Sequence, residues 1–284
     1  VNGNNILDIV SGDYWYEGPD FKRRHAIGDV NPVGEYFNDF STIPLDINGN
    51  GRLDFITGGM WGNTLRWREN PGDPEAKWRE HIIAHVGGVE TTRAWDVDGD
   101  GQLEIVPNTP DDPLVVCKLV TNEKGKGTGE FICRPIYSQE HGHGLGFGDI
   151  NGNGRGDFVL VNGWLEAPQD PYAGDWVFHP DFDLGGDSAG VPILVVDVNN
   201  DGVNDLIVGQ GHAYGLDWWE QRVDSSGART WIPHPIDPFN SQYHDLQWAD
   251  IDGDGDGELV TGKRYRAHNG RDPGAYDDIG IYYF

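Results

Sequence analysis

Five loops rich in Asp and Asn place oxygen atoms at alternate positions along this sequence. Each reads Asp-x-(Asp/Asn)-x-(Asp/Asn)-Gly-x-x-(Asp/Glu) and runs directly into a short apolar stretch. Such spacing suits a hard cation such as Ca²⁺, with side-chain ligands at positions one, three, five and nine and a backbone carbonyl at position seven. The predicted calcium ligands are Asp46, Asn48, Asn50 and Asp54; Asp96, Asp98, Asp100 and Glu104; Asp149, Asn151, Asn153 and Asp157; Asp197, Asn199, Asp201 and Asp205; and Asp250, Asp252, Asp254 and Glu258.

These loops differ from an EF-hand, because strand-like segments flank them and no Glu stands at position twelve. A metal-free Asx-rich turn is the alternative. Repetition of one pattern in five copies favours the cation sites. Their expected role is structural: each ion would lock a strand connection and neutralise clustered carboxylates.

Four histidines recur at one place in the repeat. His81, His179 and His234 each follow a Trp by three residues, and His25 occupies the matching place in the first copy. A residue that recurs in every unit serves the unit, so we expect a structural hydrogen bond on the third strand of each sheet.

Other polar residues break the repeat, which is the pattern expected of a unique site. Six residues before the loop Asp stand Phe40, Glu90, His143, Val191 and His244. Unequal loops after the second strand add further His, Tyr, Lys and Arg. The predicted catalytic residues are His143, His212, His244, Tyr214, Tyr243, Lys263 and Arg264, and the predicted substrate-binding residues are Glu90, Asp39, His141, Arg266 and His268.

These residue types suit removal of a proton next to a carbonyl or carboxylate group. His or Tyr can act as base, and a second such residue as acid. Arg and Lys can stabilise the developing oxyanion. Alternatively, His143, His212 and His244 hold a catalytic divalent metal. Aromatic side chains such as Trp164, Trp218 and Trp219 either stack on sugars or fill the core between sheets.

A regular array of strands must position these residues. The acidic loops start roughly 46 to 53 residues apart, a period typical of repeat architectures. Each unit reads as four short strands, which predicts an all-β fold, a β-propeller of four-stranded antiparallel blades. The expected units of this single domain, residues 1–284, lie near residues 1–42, 43–90, 91–143, 144–190, 191–243 and 244–284.

Six repeats are visible, the first without its opening strand and the last without its fourth. We therefore expect a seven-bladed ring that is incomplete in this chain. A complete six-bladed ring is the alternative.

The acidic loop followed by (Asp/Glu)-apolar-apolar-x-Gly resembles the FG-GAP or VCBS repeat family, which includes integrin α-subunit propellers, fungal lectins and carbohydrate-active propellers. The phrases WYEGP, WRENPG, GWLEAP and DWWEQ are similar to the propellers of aldos-2-ulose dehydratase and of rhamnose–glucuronate lyases. This resemblance implies a carbohydrate partner and a lyase or dehydratase acting by β-elimination on a uronic-acid-containing or keto sugar.

Two other functions stay open. A lectin-like or adhesion propeller would repeat its binding residues between blades, whereas the histidines above are unequal. A glycoside hydrolase would use paired carboxylates, for which Asp39 and Glu90 are the candidates.

Composition narrows the partners and the location. A formal net charge of -27 disfavours nucleic acid, which needs basic patches. No apolar stretch is long enough for a membrane helix. Cys117 and Cys133 flank a Gly/Lys-rich turn of a predicted hairpin, where they form either a disulfide or two buried thiols. We expect a secreted or periplasmic protein.

Overall fold

The computed structural model describes residues 1–284, apart from the side chain of Asp187, as an all-β chain of six propeller blades. The residues form two compact units, which are described separately. The first contains residues 1–96 and 101–140, and the second contains residues 97–100 and 141–284.

The first unit holds three blades and a small hairpin. The first blade has three strands: β1 (Ile9–Ser11), β2 (Tyr14–Tyr16) and β3 (Arg24–Ala26). The hairpin is β4 (Pro32–Val33) and β5 (Tyr36–Phe37). The second blade is β6 (Ile43–Leu45), β7 (Asp54–Thr57), β8 (Thr64–Glu69) and β9 (Arg79–His85). The third blade is β10 (Thr91–Trp95), β11 (Glu104–Asn108), β12 (Leu114–Thr121) and β13 (Gly127–Tyr137).

The second unit holds the other three blades. The fourth blade is β14 (Leu145–Gly148), β15 (Asp157–Leu160), β16 (Gly163–Glu166) and β17 (Val177–His179). A 3₁₀ turn, Gly186–Ser188, precedes the fifth blade, which is β18 (Leu194–Val196), β19 (Asp205–Gly209), β20 (Tyr214–Val223) and β21 (Arg229–Ser241). The sixth blade is β22 (Tyr243–Ala249), β23 (Glu258–Lys263) and β24 (Ile281–Tyr283), with one helical turn, α1 (Ala267–Gly270), before β24.

Each acidic loop joins the first two strands of a blade, as predicted. The apolar run after the loop forms the second strand, and β7, β11, β15 and β19 are buried along their whole length. Strands covered on both faces favour continuous apolar runs over alternation. In the second unit, Val159 and Trp164 pack with Ile193 and Leu206 of the next blade. The core therefore lies between neighbouring blades. Among the described residues, no helix has the length and hydrophobicity needed to cross a bilayer.

The two cysteines form a disulfide. Cys117 of β12 lies directly opposite Cys133 of β13, and their sulfur atoms are bonded. The hairpin register brings the two side chains together, which decides between the alternatives that the sequence left open.

The recurrent histidines form a repeated stack with a Trp and a Glu of the third strand. His81 lies on Trp67 with ring centroids 4.3 Å apart, and its Nε2 is 2.9 Å from Glu69. The equivalent ring pairs are Trp164–His179 at 4.3 Å, Trp218–His234 at 4.5 Å and Trp15–His25 at 4.3 Å. The prediction placed these histidines on the third strand, but they lie on the outermost strand of the blade. The third strand carries the Trp and the Glu that they contact.

The stack is also connected to the acidic loop. Glu69 accepts a hydrogen bond from Asn48 Nδ2 at 3.0 Å, and Glu166 accepts one from Asn151 at 3.1 Å. Each of these Asn residues stands at loop position three. A single Glu therefore ties the loop to the outer strand of its blade.

Replacing His81 should therefore weaken the fold. His81→Ala removes the stacking on Trp67 and the hydrogen bond to Glu69, so we expect the free energy of unfolding to fall by about 1–3 kcal/mol. Urea denaturation, compared at equal slope, measures the change.

His85 gives a matched control, because it lies on the same strand but is exposed. His85→Ala should change stability by no more than about 0.5 kcal/mol. Equal losses in the two variants would show that the stack does not support the blade.

Candidate functional site

A short backbone segment in the second unit, residues 188–191, makes hydrogen bonds to three histidines that break the repeat. We call this segment the central strap. His143 Nδ1 donates to Ala189 O at 2.7 Å. The backbone N–H of His212 donates to the carbonyl of the strap's first residue at 3.3 Å, and the strap's last N–H donates to His244 O at 3.1 Å. The three histidines come from three different parts of the chain, and the backbone of one segment fixes them together.

Glycine allows the strap to approach β22 closely. A Cβ at Gly190 would lie 2.7 Å from Tyr243 O and 2.8 Å from His244 O. A Cβ at Gly211 would lie 3.0 Å from His244 Cδ2. Any larger residue at Gly190 would therefore push the start of β22, and His244 with it, away from the other two histidines.

The three rings converge. Ring centroids are 4.6 Å apart for His143 and His212, 4.9 Å for His143 and His244, and 5.5 Å for His212 and His244. One ring nitrogen of each lies within 4.8 Å of the others. We call this group the histidine cluster. The structure thus brings together the three histidines that break the repeat.

Two of the ring nitrogens in the histidine cluster face each other as acceptors. His143 Nδ1 contacts a carbonyl oxygen, and His212 Nδ1 lies 2.8 Å from Asp272 Oδ2. A carbonyl and an ionised carboxylate only accept hydrogen bonds, so these two contacts favour the proton on both Nδ1 atoms. The two Nε2 atoms, 3.1 Å apart, therefore point their lone pairs at each other.

With this pair of tautomers, a positive charge between the two lone pairs would remove their repulsion. Burial lowers the pKa of His212 to about 4, against the hydrogen bond to Asp272, and nearby His143, Arg264 and His244 lower it further. A shared proton is therefore disfavoured at neutral pH. Neutral imidazole nitrogens are the ligands that zinc and similar metals prefer, so this donor set fits a divalent metal ion.

Asp272 supports the histidine cluster, and the sequence-based prediction missed it. Its Oδ2 also lies 3.2 Å from Arg264 Nη2, and its Oδ1 accepts from His268 Nδ1 at 2.8 Å. Burial opposes ionisation of Asp272, but the hydrogen bonds from His212 and His268 outweigh it and lower the pKa. The i, i+4 spacing of His268 and Asp272 was the available signal.

His268 stands at the rim of the site. It stacks on His212 with centroids 4.6 Å apart, and half of its side chain is exposed. Its backbone is left-handed, as are those of Arg266 and Asn269. Such conformations are strained for these residues and persist only where the surroundings impose them.

A cavity of about 710 Å³ adjoins the histidine cluster, and two cationic side chains and one carboxylate, Asp245, line it. Its lining includes His244, Thr261, Lys263, Arg264 and Ile281. Lys263 is buried, whereas a quarter of the Arg264 side chain is exposed. An anionic group could therefore enter beside His244 and meet two cationic side chains.

The two predicted catalytic tyrosines bond to carboxylates outside the histidine cluster. Tyr243 is fully buried and donates to Asp237 Oδ2 at 2.6 Å, and burial together with that bond raises its pKa. Tyr243 is therefore a packing residue, contrary to the sequence-based prediction. Tyr214 donates to Asp277 at 2.7 Å, and Asp277 lines a neighbouring cavity with Lys263 and Arg266.

The remaining predicted binding residues do not join the cluster. Asp39, in the first unit, is buried, pairs with Arg68 at 3.0 Å and also accepts from Thr57. It is a structural ion pair, which removes it as a hydrolase carboxylate. Glu90 opens β10 in the same unit, its backbone N–H bonded to Asn108 O at 2.9 Å. His141, in the second unit, is buried.

The tryptophans considered for sugar stacking belong to the core. Trp164 is buried under His179, Trp218 stacks on His234, and Trp219 packs against the core between the fourth and fifth blades. Protein covers Trp164 fully and the other two tryptophans in part.

The acidic loops share one folded geometry. The first Asp accepts from the Gly at position six, for example Gly51 N to Asp46 Oδ2 at 2.9 Å and Gly255 N to Asp250 Oδ2 at 3.1 Å. Asp250, Asp252 and Asp254 bring carboxylate oxygens within 4.8 Å of one another. The loops therefore cluster the oxygens on which the calcium prediction depends.

The ninth loop position has a role that sequence reasoning missed. Asp157 is fully buried; its Oδ2 accepts from Ile150 N at 3.0 Å and its Oδ1 from Ala167 N at 2.8 Å. Burial raises the pKa of Asp157 to about 6, although these bonds oppose the shift. One carboxylate thus connects the acidic loop to the end of the third strand.

Exchanging one of these oxygens should destabilise the blade. Asp157→Asn places an amide N–H₂ against a backbone N–H donor, so we expect a loss of about 2 kcal/mol or more in the free energy of unfolding. Denaturation with excess chelator separates this effect from any loss of metal. The exposed Asp175 is the control, and Asp175→Asn should have little effect. An unaltered Asp157→Asn protein would contradict the structural role.

Comparison with known proteins gives a family match and a set of structural neighbours, two of which are described below. The FG-GAP-like repeat matches residues 46–106 and 197–261. The V. cholerae biofilm matrix protein Bap1 is 17% identical over 99% of this chain, with a TM-score of 0.42, and the match covers 41% of Bap1. BBS1N in complex with ARL6DN is 10% identical over 93% of this chain and 74% of its own, with a TM-score of 0.44. No curated protein shows significant sequence similarity.

Proposed function

We propose that this chain, which belongs to the family of FG-GAP-repeat β-propellers, is a carbohydrate-active enzyme of the lyase or dehydratase type. Its reaction is β-elimination on a uronic-acid-containing or keto sugar. The observation that carries the proposal is the convergence of His143, His212 and His244 beside a cavity lined by Lys263 and Arg264.

The histidine cluster would hold a divalent metal ion. The facing lone pairs of His143 and His212 support this, because a cation relieves their repulsion. Bound there, the metal would act as a Lewis acid on a carboxylate or carbonyl oxygen. Asp272 and the central strap hold two of the rings with Nε2 directed into the cluster.

The chain's own side chains supply recognition and proton transfer. Lys263 and Arg264 would pair with the carboxylate of a uronic acid, or with the carbonyl oxygen of a keto sugar, and stabilise negative charge as it develops. His268 donates its Nδ1 proton to Asp272, which leaves the Nε2 lone pair at the exposed rim. A base held by a carboxylate in this way is a recurring device for proton abstraction.

The elimination balances as follows. His268 takes the proton from the carbon next to the carboxylate or carbonyl, and that electron pair becomes the new carbon–carbon double bond. The bond from the β-carbon to its oxygen breaks, and the leaving oxygen is protonated by solvent. The product is an unsaturated sugar, which absorbs in the ultraviolet.

Loss of one cluster histidine should abolish turnover and spare the fold. His244 is only partly buried, so His244→Ala should unfold near the wild-type midpoint while turnover falls by about 100-fold or more. Uronic-acid polysaccharides and keto sugars form the assay panel, read by the absorbance of unsaturated products with and without added divalent metal.

Controls separate chemistry from stability. His81→Ala should retain turnover at a temperature where it is folded, because it lies in the first unit's structural stack. Turnover by His244→Ala at the wild-type rate would overturn the proposal. Carbohydrate binding without any product from the wild-type protein would favour the lectin-like alternative.

We further propose that the acidic loops bind structural Ca²⁺. Asp46 Oδ1 and Asp96 Oδ1 are buried and accept no hydrogen bond within the described residues. A buried carboxylate oxygen without a partner is costly, and a bound cation would offset that cost. The formal net charge of -27 would fall in magnitude by two with each ion bound.

Calcium removal should lower the melting temperature. One site at a free Ca²⁺ concentration 100 times its Kd adds about 2.7 kcal/mol, so chelation should lower Tm by roughly 5 °C or more. Differential scanning calorimetry with chelator, then with restored Ca²⁺, measures the shift. Unchanged melting together with no calcium by elemental analysis would refute the assignment.

The disulfide between Cys117 and Cys133 supports a secreted or periplasmic location for this proposed enzyme. Structural disulfides form and persist in oxidising compartments. Polymeric acidic sugars are substrates met outside the cytoplasm, which agrees with that location.

A further inference from the structure

Three hydrogen-bond donors contact the carboxylate of Asp272, which lies beside the histidine cluster. Asp272 Oδ2 lies 2.8 Å from His212 Nδ1 and 3.2 Å from Arg264 Nη2, and Oδ1 lies 2.8 Å from His268 Nδ1. Only 11% of the Asp272 side chain is exposed. This carboxylate therefore contacts two imidazoles and one guanidinium while shielded from water.

Arg264 makes the arrangement sensitive to Asp272. Arg264 Nη2 is also 3.0 Å from His212 Nδ1. A guanidinium only donates, so Arg264 favours a His212 ring whose Nδ1 is unprotonated. Asp272 favours the opposite tautomer, because a carboxylate only accepts. The lone pair of His143 Nε2, 3.1 Å from His212 Nε2, favours the same tautomer as Arg264 does. The tautomer of His212 is therefore decided by whether Asp272 dominates over these two neighbours.

We propose that Asp272 is the positioning residue of the histidine cluster and sets the tautomer of His212. Asp272 keeps the proton on Nδ1, so the Nε2 lone pair of His212 is directed at His143 and is available to a metal ion. Without Asp272, Arg264 takes over Nδ1, and the proton moves to Nε2. A protonated Nε2 cannot act as a ligand.

The inference rests on the proposed metal-binding role of the cluster, but its first test does not need metal. In metal-free protein, ¹⁵N chemical shifts of the imidazole report which nitrogen of His212 carries hydrogen. Wild-type protein should show His212 as Nδ1–H, and Asp272→Ala should show Nε2–H. His212 remaining Nδ1–H in the variant overturns the proposal.

For the tautomer of His212, the conservative variant Asp272→Asn gives the opposite expectation to Asp272→Ala. Asp272→Asn keeps one oxygen, and Arg264 should hold that oxygen at the Oδ2 position because the amide N–H₂ would repel the guanidinium. His212 should then stay Nδ1–H, whereas His268, now facing the N–H₂ group, should switch to Nε2–H. A purely structural role for Asp272 predicts no such difference between the two histidines. The Asn variant also keeps the test decisive if Asp272→Ala does not fold, since an Nε2–H tautomer at His212 there would refute the proposal.

Metal affinity is the second readout. Titration with Co²⁺, followed by its visible absorption bands, should show Kd raised about 10–100-fold in Asp272→Ala and much less in Asp272→Asn. Asp277→Ala is the matched control, because Asp277 lies on the same loop but bonds to Tyr214. An equal loss in Asp277→Ala, or none in Asp272→Ala, overturns the inference. If wild-type protein binds no Co²⁺, the proposed metal role fails, and the tautomer measurement still decides the role of Asp272.

Discussion

A buried carboxylate at the ninth loop position is the interaction on which the second, fourth and fifth blades depend. Asp54, Asp157 and Asp205 each accept one backbone N–H from their own loop and one from the end of the third strand. An acidic group can be buried at this point only because both oxygens are satisfied. We call this carboxylate with its two backbone hydrogen bonds the carboxylate clip. The clip fixes where the loop ends and which strand lies next to it.

The rest of the blade follows from that clip. The end of the third strand is also where the Trp–Glu pair stands, so the clip places this Glu between the loop Asn and the outer-strand His. Loop, second strand, third strand and outer strand are thus joined by side chains of one short motif. The Glu of the motif thus bonds inside its own blade, to the loop Asn and to the outer-strand His.

The contrast between residues that repeat in every blade and residues that occur once explains how much of the candidate site the sequence could predict. The blades, the strand order and the separation of repeated from unique histidines all follow from the period. The grouping of His143, His212 and His244 could be predicted because they depart from it. Asp272 was missed because its importance comes from contacts 60 residues away in the chain, at His212, which no periodicity encodes. Tyr243 was misjudged for a related reason: its burial depends on how closely glycines let neighbouring blades approach, and residue type alone does not show that.

Backbone strain in the segment after β23 also separates the candidate site from the repeated parts of the blades. Arg266, His268 and Asn269 all adopt left-handed conformations, each of which costs of order 1–3 kcal/mol for a residue other than glycine. Elsewhere in the chain most left-handed residues are glycines, for which the cost is small. What offsets the strain here is the bond from His268 to Asp272 and the stack on His212. A fold that could have used glycine, as it does in its loops, instead holds a histidine at the rim of the histidine cluster, which argues that the side chain of His268 is what the segment is shaped to present.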